Sequence, residues 1–350
     1  RNDDDDDVSI GNAIISMYVK CGALGKACEM FETLPFSDVV TWNVMISGFT
    51  SHGYGDRALS YFDQMQHEAF APNSITFLSL LKACGSINVP EKGREIHARI
   101  AGGSFPLPER HVIWVGNALV DMYAKCGLLG KALEVFDELQ TCDVVSWTAL
   151  IGGYTQHGRD MEALRFYDQM LIQGVLPNVA TFVCLLNACF YVGASNQGQK
   201  MHSMIVGDKL LSSNIVLGNA LIDMYVKFGI LGEAREVFDR LVVQDVVSWT
   251  TLIMGYVHHG HSEEAMCMFK TMKLKGFSPN VVTYACILKA CGSISSLATG
   301  REIHVNILSE GLAKKVSIGN ALVDMYVKSG LLQKALEMFN ELSDRDAISW

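Results

Sequence analysis

The chain has 350 residues, 49% hydrophobic and 19% charged, a composition that excludes an intrinsically disordered protein. Its net charge of −9 counts against a nucleic-acid binder, because neutralising phosphates takes Lys and Arg; Asp3 to Asp7 supply five of the negative charges, and removing them would leave −4, still not basic. No apolar run reaches the roughly 18 residues of a membrane span, so a soluble chain with no membrane partner is expected.

The sequence opens on Arg1, carries no charged-then-apolar signal segment and stops at Trp350, as expected of an excerpt from a longer protein whose targeting segment lies elsewhere. Its length also exceeds what one hydrophobic core supports, which directs attention to internal repeats. Residues 1–7 are expected to be a disordered acidic leader. From there, four segments read alike: GNAIISMYVKCGALGKACEMF from Gly11, GNALVDMYAKCGLLGKALEVF from Gly116, GNALIDMYVKFGILGEAREVF from Gly218 and GNALVDMYVKSGLLQKALEMF from Gly319. Their Asn residues, Asn12, Asn117, Asn219 and Asn320, are spaced by 105, 102 and 101 residues.

Each of these long periods contains three smaller units. Short units span 8–38, 113–143, 215–245 and 316–346; standard units span 39–73, 144–178 and 246–280; long units span 74–112, 179–214 and 281–315. Residues 347–350 begin a further, truncated unit. Within a unit, a first helical stretch ends near a Gly suited to a left-handed C-cap, such as Gly22, Gly53, Gly127, Gly158 or Gly229. A second stretch follows with small or apolar residues at three-and-four spacing, as in Ala27, Met30, Phe31, Leu34 and in Ala58, Tyr61, Phe62, Met65. Pro72, Pro177 and Pro279 then punctuate the end of the hairpin. One such hairpin cannot bury its apolar face alone, so neighbours must stack; the predicted fold is all-α, an α-solenoid of helix-turn-helix repeats.

NALVDMYAKCG, DVVSWTALIGGY, LLKACG and GREIH, together with unit lengths of 31 and 35, resemble the pentatricopeptide repeat family, and specifically its plant subfamily in which short, standard and long units alternate. The resemblance covers nearly all of residues 8–350 and implies a right-handed superhelix. The first long unit departs from it, running to 39 residues with GGSFPLPER inserted. Tetratricopeptide repeats are a near neighbour that binds peptides, but their W-x-x-L-G-x-x-Y pattern is absent.

The resemblance implies that single-stranded RNA is read one base per unit, by the fifth residue together with the last. In the short units these are Asn12 with Asp38, Asn117 with Asp143, Asn219 with Asp245, and Asn320 with Asp346. In the standard units they are Asn43 with Asn73, Thr148 with Asn178, and Thr250 with Asn280. An Asn amide has one donor and one acceptor face; an ionised Asp only accepts, so it should hold the amide nitrogen and fix the orientation, whereas a second Asn leaves it ambiguous. By resemblance, Asn/Asp implies U, Asn/Asn a pyrimidine with C favoured, and Thr/Asn A, giving 5′-U-Y-n-U-A-n-U-A-n-U. The long units place Leu78, Val183 and Ala285 at the fifth position, where no hydrogen bond to a base edge is available.

By the same resemblance, Val40, Val145 and Val247 pack against base faces, although ordinary packing explains them equally. Lys20, Lys125, Lys227 and Lys328 occupy one equivalent place and by resemblance meet phosphate; a Lys in the last turn also suits the helix dipole.

No catalytic or metal residue is expected, nor a cofactor or small-molecule substrate. His52, His157 and His259 recur at one site, and His97, His202 and His304 at another, as structural residues do. Cys84, Cys189 and Cys291, Cys184 and Cys286, and Cys21 and Cys126 likewise recur; the spacing points to buried free thiols and not disulfides or zinc, and there is no CxxC. His261-Ser262-Glu263 matches half of a zinc deaminase signature without its P-C-x-x-C half. Gly53-Tyr54-Gly55 follows no strand and is not a dinucleotide loop. The expected function is that of a non-enzymatic RNA-binding protein of mitochondria or chloroplasts. It would act as specificity factor for C-to-U editing alongside other editing-complex proteins, with a deaminase-like domain able to follow Trp350. RNA stability or splicing, and a peptide-binding scaffold, are the alternatives.

Overall fold

The structure is a computed structural model and describes residues 3–102, 109–207, 210–312 and 315–342. These residues form helices and connecting turns only. The first five hairpins are α1 (Asp3–Lys20) with α2 (Leu24–Thr33), α3 (Val39–Ser51) with α4 (Gly55–His67), α5 (Ser74–Ser86) with α6 (Pro90–Ala101), α7 (Glu109–Lys125) with α8 (Leu129–Asp137), and α9 (Val144–Gln156) with α10 (Asp160–Ile172). The next is α11 (Val179–Val192) with α12 (Ser195–Gly207), trailed by the single turn α13 (Leu210–Ser213). The last four are α14 (Ile215–Lys227) with α15 (Leu231–Arg240), α16 (Val246–His258) with α17 (Ser262–Leu274), α18 (Val281–Ser293) with α19 (Leu297–Ser309), and α20 (Val316–Lys328) with α21 (Leu332–Glu341).

Two helix starts differ from the sequence reading. Helix α1 begins at Asp3, so the backbone of residues 3–7 is helical and not a disordered leader. No Gly or Pro stands between it and the amphipathic stretch from Val8, and a nucleated helix propagates until something stops it. For the same reason α7 begins at Glu109, four residues before Ile113. Most of the GGSFPLPER insertion lies outside the described residues.

The chain divides into two compact bodies, residues 1–188 and 189–350. In the first, α1, α3, α5, α7 and α9 pack in succession, and α2, α4, α6 and α8 each lean on the first helix of the following hairpin. In the second, α14, α16, α18 and α20 repeat the arrangement, with α15, α17 and α19 behind them.

What bonds one hairpin to the next is legible in the repeated motifs. Trp42, Trp147 and Trp249, the Trp of VVTWN and VVSWT, are each 1% exposed. Their rings meet Phe31, Phe136 and Phe238 of the preceding short unit edge-on, at 4.8, 4.7 and 4.7 Å. Such a pair adds about 0.5–1.5 kcal/mol beyond the area it buries. The Gly of GNA explains itself sterically: a Cβ on Gly11, Gly116, Gly218 or Gly319 would strike Leu34, Leu139, Leu241 or Leu342, which close the back of the same hairpin. Gly127 at the α7–α8 turn has φ 73°, a conformation that costs Gly nothing and other residues much; Gly22, Gly53, Gly158 and Gly229 adopt it too.

Candidate nucleic-acid interface

Because each short or standard unit's fifth residue lies in its first helix and its last residue precedes the next first helix, the stacking brings the two side by side. Asn12 Nδ2 donates to Asp38 Oδ1 at 3.2 Å, Asn117 Nδ2 to Asp143 Oδ1 at 3.1 Å, and Asn219 Nδ2 to Asp245 Oδ1 at 3.3 Å. Asn43 Nδ2 donates to Asn73 Oδ1 at 3.1 Å. The two Thr/Asn pairs are not joined by a direct hydrogen bond. Thr148 instead shares a 2.7 Å hydrogen bond with Thr181, whose hydroxyl donates to Asn178 Oδ1 at 3.0 Å; Thr250 reaches Asn280 through Thr283 in the same way, at 2.7 and 2.9 Å. Asn320 lies in α20, while Asp346 lies outside the described residues.

The last residue of a unit has a second role that the sequence reading missed: it is the N-cap of the following helix. Asp38, Asn73, Asp143, Asp245 and Asn280 each accept from the backbone N–H three residues on, and the Thr or Ser hydroxyl there accepts in turn from the cap's own backbone N–H, a capping box. The signal was present as an Asp or Asn followed at the third position by Thr41, Thr76, Ser146, Ser248 or Thr283. This corrects one expectation. The orientation of Asn43 is not left ambiguous by its Asn partner: Ile75 N–H at 3.0 Å and Thr76 N–H at 3.2 Å fix Asn73 Oδ1, which accepts from Asn43 Nδ2, and the Thr76 hydroxyl donates to Asn43 Oδ1 at 2.6 Å.

Capping consumes Oδ1 alone. Asp38, Asp143 and Asp245 keep Oδ2, and Asn73, Asn178 and Asn280 keep Nδ2, without a hydrogen bond among the described residues. Burial by itself would push the carboxyls of Asp38 and Asp143 up. The backbone and hydroxyl donors of Thr41 or Ser146, and the amide of Asn12 or Asn117, outweigh it and hold both below the usual carboxylate range. Both are therefore ionised acceptors at neutral pH. The hydroxyl of Ser146 also donates to Asn117 Oδ1 at 2.6 Å, whereas Asn12 Oδ1 and Asn219 Oδ1 are buried without a partner.

In the first body these residues face an open groove of about 700 Å³ lined by Asn117, Thr148, Asn178, Val145, Lys125 and Trp114, among others. A second, of about 540 Å³, is lined by Asn12, Asp38 and Val40. Val40, Val145 and Val247 are 54%, 52% and 53% exposed, which ordinary core packing does not produce. The second position of other units was overlooked: Ile75, Trp114, Val216 and Val282 are exposed there as well, and the repeat register alone would have found them. Trp114 is stacked on His111, ring centres 5.0 Å apart and planes at 22°, and His111 is itself hydrogen-bonded to Ser74 at 2.8 Å.

Three of the four lysines are engaged. Lys125, Lys227 and Lys328 form ion pairs with Asp121, Asp223 and Asp324 one turn earlier, at 2.6, 2.7 and 2.7 Å. Lys20 has Ser16 in the corresponding place. Exposed pairs of this kind contribute about 0–1 kcal/mol, so a phosphate could displace the carboxylate.

The other titratable groups have structural duties. His157 Nε2 bonds Ala124 O at 2.9 Å and His259 Nε2 bonds Val226 O at 2.8 Å, each reaching back to the preceding helix; His52 turns instead to its own Gly48 O. His97, His202 and His304 bond the hydroxyls of Tyr123, Tyr225 and Tyr326 at 3.0, 2.8 and 2.9 Å. All ten cysteines are free thiols, and burial pushes those of Cys84 and Cys189 up to about 12 and that of Cys291 to about 11. The expectation of burial fails at Cys21, which is exposed: Cys126 is set against the preceding long unit, Sγ 3.7 Å from Cys84 O, and Cys21 has no such neighbour. His261 is exposed and lies 3.5 Å from Glu264. No cluster of three His, Cys, Asp or Glu suited to a metal occurs among the described residues.

Comparison with known proteins agrees with this repeat geometry. The model of the PPR repeat family matches residues 37–86, 142–190 and 244–293, and that of the PPR repeat matches 12–36, 117–144, 219–246 and 320–346. The chain belongs to the pentatricopeptide repeat family. A chloroplastic pentatricopeptide repeat-containing protein of Arabidopsis thaliana is 34% identical over 353 residues, covering 99% of this chain and 55% of its own length. A mitochondrial one from the same plant is 34% identical over 342 residues, 97% of this chain and 33% of its own. The crystal structure of the pentatricopeptide repeat protein PPR10 from maize shares the fold, with a TM-score of 0.57 at 19% identity over 97% of this chain and 54% of that one. The chain spans about half the length of the first of these Arabidopsis relatives.

Proposed function

We propose that this pentatricopeptide repeat chain binds single-stranded RNA with base selectivity, one base to each short or standard unit, at the paired fifth and last residues. The observation that carries the reading is the recurrence of one hydrogen-bonded arrangement in which a capped Oδ1 orients the pair and a second atom stays free. Repeats of this family read one base each with two or three side chains.

The free atom gives the preference a physical basis. In an Asn/Asp unit it is a carboxylate oxygen, which accepts from the N3–H of uracil and repels the N3 lone pair of cytosine. In the Asn/Asn unit the same place holds an amide nitrogen, a donor that suits cytosine. In the Thr/Asn units Asn178 and Asn280 offer a donor to a ring nitrogen of adenine. The exposed residues at the second position would cover the base faces.

The alternation of unit lengths supports placing the chain in an organellar RNA-editing factor, as the part that reads the address of a C-to-U site. Relatives named as chloroplastic and mitochondrial support the compartment. The deciding experiment compares binding of U-Y-n-U-A-n-U-A-n-U RNA with a scrambled sequence by gel shift. Equal affinity for both, or none, would end the code reading. Thr148→Asn with Asn178→Asp should move the preference at one position from A to U.

A further inference from the structure

The long units have no polar fifth residue, yet Leu78 and Lys82 of α5 and Ala180 and Cys184 of α11 line the groove that holds Asn117 and Thr148. In α5, Leu78 and Lys82 are one turn apart, and in α18 so are Ala285 and Lys289, which places each lysine directly beyond the apolar fifth residue. Lys82 lines the groove that holds Asn117, Thr148 and Asn178. Both lysines are exposed, and neither side chain has a hydrogen bond or ion pair among the described residues. The short units are built the opposite way. In three of the four their ninth residue is Asp121, Asp223 or Asp324, each already holding its own lysine; in the first it is Ser16.

Packing at these junctions keeps the paired lysines down. The stems of Lys125 and Lys328 lie over Gly85 and Gly292 of the preceding long unit, and the Lys227 ammonium sits 5.5 Å from the centre of the Phe190 ring at that place. Lys82 and Lys289, the ninth residues of two long units, are instead exposed. At two junctions, then, a non-reading unit with an unpaired cation, Lys82 or Lys289, stands directly before a base-reading unit whose lysine, Lys125 or Lys328, is neutralised. In the remaining long unit the ninth residue is Asn187, which carries no charge.

We propose that the long units clamp the phosphodiester backbone: Lys82 and Lys289 each neutralise a phosphate at a step where no base is selected. A compact ammonium on a flexible stem suits a phosphate without demanding one geometry, so the contact adds affinity irrespective of sequence. It also accounts for how a chain of net charge −9 holds a polyanion, since affinity depends on the cations in the groove and not on the total. The inference rests on the RNA-binding reading.

Its test is the salt dependence of binding, measured for the U-Y-n-U-A-n-U-A-n-U RNA and a scrambled RNA. Each phosphate neutralised on a single strand contributes about 0.7 to the slope of log Kobs against log salt. Lys82→Gln and Lys289→Gln should each lower the slope by about 0.7, and together by about 1.4, while weakening both RNAs equally. Lys125→Gln should change it less, and unchanged thermal unfolding will show that the variants fold. A double variant that keeps the full slope, with the parent still preferring the designed RNA, overturns the clamp and leaves base reading standing. A parent chain that binds neither RNA overturns both.

Discussion

Asn117 gives its amide N–H to the same Oδ1 of Asp143 that caps α9, over 3.1 Å. Helix initiation and the proposed base recognition therefore meet at one atom, and two substitutions separate them. Asp143→Asn preserves the cap, since an Asn oxygen caps as well as an Asp one; its stability should be nearly unchanged, while preference at that base moves from U toward C. Asp143→Ala removes the cap and should cost about 1 kcal/mol in thermal or urea unfolding as well as the preference. If Asp143→Asn still favours U, the pair does not read the base.

Trp114 offers a direct view of the groove. Trp42, Trp147 and Trp249 are sealed in the core at 1% exposure, whereas Trp114 is 51% exposed. A base stacking on its indole should quench and shift Trp fluorescence in the parent chain, and Trp114→Phe should abolish most of that change. Trp114→Ala should weaken RNA binding by about 1–3 kcal/mol, the usual contribution of a base–aromatic stack. Saturating RNA with no spectral change would place the strand elsewhere.

The His–Tyr contacts between long and short units make the stack sensitive to acid. Burial holds His97, His202 and His304 below their ordinary value, with Lys131 adding to the effect at His97 and Lys334 at His304. The unfolded chain takes up these protons first. The stability they contribute is fully present above about pH 6.5 and is lost as pH falls through the lowered folded values. His202 has a further liability, a buried Nε2 without a partner. Thermal unfolding should shift downward between about pH 7.5 and 5, and replacing all three histidines with Asn should flatten that dependence. Parallel curves for parent and variant would rule the histidines out.

Much of the fold was open to reading because each unit states its own boundaries. The Gly at hairpin turns, the Pro between units and the Trp of VVSWT each have one local cause, repeated often enough to remove doubt about the period. The pairing of fifth with last residues was available through family resemblance. Its mechanism was not, because whether Asn43 bonds Asn73 depends on how far one helix stands from the next. The lysines show the same limit: Lys125 and Asp121 are four residues apart in sequence, but groove exposure, which is where that pairing matters, belongs to neighbouring units.

The sequence by itself determined the repeat, the all-helical class and which residue types recur at which register, since those follow from periodicity and from residues with a single conformational use. Only the tertiary structure decided which atom of each pair is occupied by capping and which stays free. It also distinguished Thr148 and Thr250, which reach their partners through Thr181 and Thr283, from Asn117, which reaches its partner directly. Hydrogen bonding is set by distances of a few tenths of an ångström between helices, and those are fixed by the packing of whole hairpins, not by any one of them.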